Sequence, residues 1–167
     1  MILQTGKQKR SNSSGFTLLE LLLVAVIILA LVTISTPLFK RTYEDLRLTS
    51  SAKDISVIMQ FCRERAIFER IPYRFLLNID KKNYKILRQE EDEDDFEAIQ
   101  GRWGKTFKIS EAIEIEADEE AIDFLPDGNI TPALIYLTNR DEVTHTVSTE
   151  SATGLIKVYD YKFEPEE

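Results

Sequence analysis

From Leu21 to Phe39 the chain carries no formal charge, and most of the residues are Leu, Val, Ile and Ala. A helical run of about 20 apolar residues matches the hydrocarbon core of a bilayer. The stretch therefore predicts a membrane segment, which binds one end of the chain to a surface whatever the rest folds into. Lys7, Lys9 and Arg10 precede it with no acid before Phe16, and a cationic flank of this kind is retained on the cytoplasmic side. Lys40 and Arg41 stand on the far flank, closely followed by Glu44 and Asp45.

The rest of the composition narrows the field. With 167 residues there is room for one domain of ordinary size and an attached segment. Twenty-one Lys and Arg against 29 Asp and Glu give a net charge of −8, which argues against nucleic acid held by general phosphate attraction. A lone cysteine, Cys62, permits no internal disulfide. With a lone histidine, His145, it supplies too few ligands for a Cys/His zinc site.

A cleavable secretory signal fits the N-terminus poorly. Its apolar stretch should span about 7 to 15 residues and end in small side chains at the cut. This run is longer and closes on Thr33, Ile34, Ser35, Thr36 and Pro37. A carboxylate, Glu20, also stands at the head of the apolar run, where a charge costs up to about 2.5–3.5 kcal/mol in a bilayer. Glu20 needs a compensating partner.

The stretch Ser14, Gly15, Phe16, Thr17, Leu18, Leu19, Glu20, Leu21, with the apolar run and Pro37 beyond, resembles the class III signal of type IV prepilins and type II secretion pseudopilins. The resemblance implies cleavage between Gly15 and Phe16 by a prepilin peptidase, N-methylation of Phe16, and passage from the inner membrane into a helical filament of other major and minor pseudopilins. It further implies that Glu20 acts in filament assembly, its carboxylate facing the new amino terminus of a neighbour, and that Pro37 kinks the helix. A new α-amino group, with a pKa of about 8, is largely cationic at neutral pH. Losing the leader removes three cations, so the exported part is more acidic than the whole.

Beyond Pro37 the period is that of an amphipathic helix. Ala52, Ile55, Met59, Cys62 and Ala66 share one face, with Lys53, Gln60 and Glu64 opposite; Pro72 predicts an end near Arg70. Alternation then predicts a hairpin of Tyr73 to Ile79 and Tyr84 to Arg88. Further strands are expected over Lys108 to Ala117, Ala121 to Leu125, Ala133 to Thr138, Val143 to Ser148 and Leu155 to Lys162. The expected organisation is a leader over 1–15, a transmembrane half-helix over 16–39, an amphipathic half-helix over 40–70 and a β-rich periplasmic head over 71–167. The fold class is α+β, a long N-terminal helix on antiparallel sheet, and the resemblance makes it pilin-like.

Three head segments resemble the H-type minor pseudopilin and FimT-like group: Cys62 to Ile67 with Arg70, Ile122 to Gly128, and Thr153 to Val158. A minor pseudopilin near a filament tip is the implied function, with a secreted protein as a further partner. The alternatives are a FimT-like DNA receptor, which the acidic head disfavours, and a membrane-anchored binding domain outside filaments. Glu90 to Asp95 form an unbroken acidic run within a loop over 90–97, read as solvated rather than metal-binding because an EF-hand's glycine and final glutamate are missing. Asp127 before Gly128 reads as a turn residue, Cys62 as core, and Trp103 as a loop anchor or a subunit contact. No nucleophile elbow, phosphate loop or metalloprotease helix accompanies His145, so no catalytic residue, metal or cofactor is expected.

Overall fold

The computed structural model describes residues 16–90, 95–150 and 153–165, without the side chains of 34–41. The chain divides into two units, residues 1–39 and 40–167. One helix, α1, spans Leu18–Glu69. It ends where Arg70 takes a left-handed conformation (φ 59°), two residues before Pro72, whose missing amide hydrogen could not extend the helix.

In the unit over 40–167, α1 buries Leu48, Ala52, Ile55, Ile58, Met59, Cys62 and Ala66. These include every residue of the predicted apolar face, while Lys53, Gln60 and Glu64 are exposed. The stripe joins strand residues in one hydrophobic cluster. The first sheet contains β1 (Tyr73–Asn78), β2 (Asn83–Gln89), β3 (Phe96–Ala98), β4 (Phe107–Lys108) and β6 (Ala121–Phe124). Its order is β3-β2-β1-β6, with β4 also on β2. The second contains β5 (Glu114–Ala117), β7 (Ala133–Thr138), β8 (Thr144–Glu150) and β9 (Leu155–Tyr159), in the order β5-β7-β8-β9. All pairs are antiparallel.

The hairpin of β1 and β2 pairs Tyr73 with Arg88 and Asn78 with Asn83. Tyr73, Phe75 and Leu77 face the core in strict alternation. The strand expected over Lys108 to Ala117 is instead two strands in different sheets. After β4, Ile109 donates its N–H to Lys82 O (2.8 Å) and Ile113 to Ser110 O (3.0 Å), so a turn carries the chain across. Both isoleucines are buried, and their burial on either side of a turn mimicked a continuous strand. Strand β3 and a 3-10 turn over Gly101–Trp103 were not foreseen.

The last expected strand stops at Tyr159 rather than Lys162. Thr146 of β8 donates its hydroxyl to Tyr161 O (2.8 Å) and accepts from Phe163 N (3.0 Å). Tyr136 of β7 donates to Phe163 O (3.0 Å). Bonds to side chains thus replace ladder bonds beyond Tyr159 and strap residues 161–163 across the sheet, with Phe163 stacked on Tyr159 at 4.3 Å. Thr146, Val147, Ser148 and Thr149 are in consequence buried consecutively, on both faces of β8. In the turn between β7 and β8, buried Asn139 accepts from the amides of Asp141 and Val143 and donates to Asp45 of α1 at 2.9 Å.

Candidate functional site

The residues that the sequence singles out fall in two places. In the N-terminal unit, α1 opens after Thr17. The backbone N–H of Glu20 donates to Thr17 Oγ1 (3.2 Å) and to Thr17 O (3.1 Å), which is the first half of a capping box. Glu20 also sits in the first turn, where the helix dipole favours an anion. Its carboxylate accepts no hydrogen bond and forms no ion pair among the described residues. The Thr-x-x-Glu spacing signalled this cap, which the sequence reading passed over in favour of the carboxylate alone.

Every large apolar residue from Phe16 to Val32 is exposed, Phe16 at 76% and Leu29 at 66%. Thr33 satisfies its hydroxyl on Leu29 O (2.8 Å), so it presents no free donor to apolar surroundings. A helix apolar on all sides is one that something outside it must cover. Among the described residues, no helix is long and apolar enough to cross a membrane; the predicted span over 16–39 includes positions whose side chains are not described. Gly15 lies outside the described residues. Pro37 lies inside α1 with its side chain not described, and the helix continues through it.

In the head, the three motif segments converge. Arg63 of α1, Gly128 of the turn after β6 and Gly154 of the turn before β9 meet at one point. A methyl group on Gly154 (φ 63°) would stand 2.8 Å from Arg63 Nη2, 2.9 Å from Arg63 Nε and 2.8 Å from Gly128 O. Glycine is therefore required there by both backbone angle and space. Gly128 (φ 90°) closes its turn by donating to Leu125 O (3.0 Å). Asp127 accepts from the Asn129 amide (3.0 Å) and side chain (2.7 Å), a turn residue as read.

Trp103 stacks on Phe61 of α1 at 4.8 Å and so anchors its loop. Arg65 lies over the Phe61 ring and Arg102 over the Trp103 ring. Beside them is a cavity of about 390 Å³ whose lining includes Arg65, Glu69, Tyr73, Arg88 and Glu97. There Glu69 accepts from Tyr73 (2.7 Å) and Arg65 (2.8 Å). Burial, reinforced by the Glu69 carboxylate, pushes the Tyr73 hydroxyl up to about 12. Cys62 is fully buried and its thiol is pushed up to about 12 by that burial, the behaviour of a core thiol. His145 is half-buried on β8 opposite Leu137. No group of three or more His, Cys, Asp or Glu able to hold a metal occurs among the described residues, and residues 91–94 of the acidic run lie outside them.

The family described as "Prokaryotic N-terminal methylation motif" matches residues 10–36. No curated protein matches the chain by sequence. Among solved structures, it is similar to the minor pseudopilin EpsH of the Vibrio cholerae type 2 secretion system. The TM-score is 0.60 at 15% identity, covering 68% of this chain and 97% of that one. It is also similar to Escherichia coli GspH, with a TM-score of 0.55 at 15% identity, covering 69% and 89%. The Pseudomonas aeruginosa type IV minor pilin FimU gives 0.52 at 15% identity, covering 67% and 87%. The chain thus joins an N-terminal methylation motif to a head with the pilin-like α+β fold.

Proposed function

We propose that the chain is a minor subunit of a pilus-like filament of the type II secretion kind, anchored in the inner membrane before assembly. The observation that carries this reading is the coupling of two features. One is an N-terminal methylation motif on the exposed, largely apolar first part of α1; the other is a pilin-like head. Prepilin peptidase cuts between Gly15 and Phe16, Phe16 is methylated, and the head stands in the periplasm. The apolar half of α1 exchanges lipid for the helices of other pseudopilins, and Pro37 lets it bend there.

Glu20 supplies the register. Its carboxylate, without a bond among the described residues, takes the cationic amine of an adjacent subunit. A misregistered subunit leaves one buried charge uncompensated at about 3–5 kcal/mol, so selection operates even where the net contribution of the pair is small. A secreted protein is the cargo that such a filament displaces. Coexpression with a prepilin peptidase tests the reading: intact mass should fall by the first 15 residues and expose a methylated Phe16. An unchanged mass, or a cut after Thr36, would overturn it.

A further inference from the structure

Arg63 of the head is half-buried, and its guanidinium meets no bonding partner among the described residues. Its Nε is buried and is the only buried side-chain nitrogen or oxygen among the described residues without a hydrogen-bond partner. The guanidinium forms no ion pair there either. Glu64 is next in sequence but exposed, and successive residues on a helix do not face each other. Gly154 packs on the Nε and Nη2 side, which explains why Nε is sealed from solvent.

Next to this guanidinium a cavity of about 200 Å³ opens, lined by Gln60, Arg63, Glu64, Gly154, Leu155 and Ile156. That volume is below the range of drug-sized ligand pockets and suits one amino-acid side chain. Leu155 on the cavity wall is 46% exposed, and Ile67, one turn along α1 from Arg63, is 44% exposed. Ile67 Cδ1 is 3.8 Å from where a Gly128 side chain would begin, so the rim is continuous with the Arg63–Gly128–Gly154 contact. A half-buried guanidinium whose Nε is sealed and unbonded, beside a cavity edged by exposed Leu155 and by the exposed Glu64, has the anatomy of an interface anchor awaiting its complement.

We infer that this cavity receives a single carboxylate side chain from a neighbouring protein subunit, with Arg63 as the anchor and Leu155 and Ile67 as its apolar edge. A carboxylate matches the planar fork of a guanidinium in both charge and geometry. The identity of the neighbour as a filament subunit rests on the function proposed above; the chemistry of the cavity does not.

Two measurements on the full chain in detergent micelles test the chemistry by itself. Acetate should displace the Arg63 Nε–H resonance while chloride at equal ionic strength does not. Gln60→Glu, which places a carboxylate on the cavity wall, should raise the melting midpoint by about 2–4 °C. No acetate-specific displacement, or no rise, would overturn the inference even if the chain proves to be a filament subunit. In cells making the partner pilins, a benzophenone side chain at position 155 should crosslink to a peptide of another subunit containing Asp or Glu. Arg63→Lys, which keeps the charge but loses the fork, and Gln60→Glu, which fills the site in cis, should each reduce that adduct about tenfold. An adduct indifferent to both variants would sink the docking role. A chain that is never processed by the peptidase would instead sink the filament reading and leave the micelle results to decide the cavity.

Discussion

Helix α1 contains two stretches built from similar residues and finished differently. Between Phe16 and Val32 its apolar side chains are exposed on every side, whereas between Leu48 and Ala66 they form a stripe closed over by the two sheets of the head. Ile27 is half exposed and Ile55 wholly buried, although both are isoleucines in the middle of the same helix. The second stretch is stabilised by contacts encoded in its own chain. The first, on the function proposed above, has its partners in lipid or in other helices, so its sequence is under a constraint that the chain by itself does not reveal.

That contrast can be broken by substitution, beginning with its strongest test. Glu20→Gln should cut incorporation into filaments sharply, by the equivalent of about 3–5 kcal/mol, while the head melts unchanged; subunit crosslinking and thermal unfolding measure the two separately. Equal melting shifts and normal incorporation would erase the distinction between the stretches. Ile55→Ala should destabilise the head by about 2–5 kcal/mol, and Ile27→Ala should leave the head's unfolding transition where it was, as followed by near-ultraviolet circular dichroism.

Alkaline titration sharpens the same boundary from the head's side. Tyr73 ionises near 10 when unfolded and only near 12 when folded. The unfolded chain therefore loses that proton first, and the contribution of Tyr73 to stability is intact below pH 10 and lost as pH rises from 10 to 12. Denaturant midpoints across that window, with tyrosinate absorbance, should show the fall, and Tyr73→Phe should make it shallower, the remainder coming from Cys62 and Tyr84, which burial also raises. The smallest effect is expected at Phe68, which is 82% exposed near the end of α1. Phe68→Ser should alter head stability by no more than about 0.5 kcal/mol.

The legible parts of the fold are those governed by period. The stripe from Ala52 to Ala66 and the alternation of Tyr73, Phe75 and Leu77 are consequences of 3.6- and two-residue repeats, and both were readable. The parts that escaped depend on contacts distant in sequence. The turn between Ile109 and Ile113 is stabilised by Lys82, whose Nζ donates to Glu111 O at 2.9 Å, and no local pattern announces a partner so far away. The end of β9 at Tyr159 is set by Thr146, a residue of another strand that no local pattern points to. At the candidate site, Glu20 was conspicuous because a charge in an apolar run has few explanations. Arg63 was not, because in a helix rich in Arg and Glu no local pattern marks a guanidinium whose Nε is buried without a bond.

The strap over β8 sets an order of events during synthesis. The strands β1 and β2 are complete once the ribosome has passed Gln89, and the first sheet once it has passed Phe124. The outer face of β8, by contrast, waits for Tyr161 and Phe163 to bond Thr146 and Tyr136. Until then the hydroxyl of Thr146 and that face of the sheet are open to water and to other chains. The second sheet is therefore completed last in chain order, and a chain arrested before Tyr161 leaves the hydroxyls of Thr146 and Tyr136 without these partners.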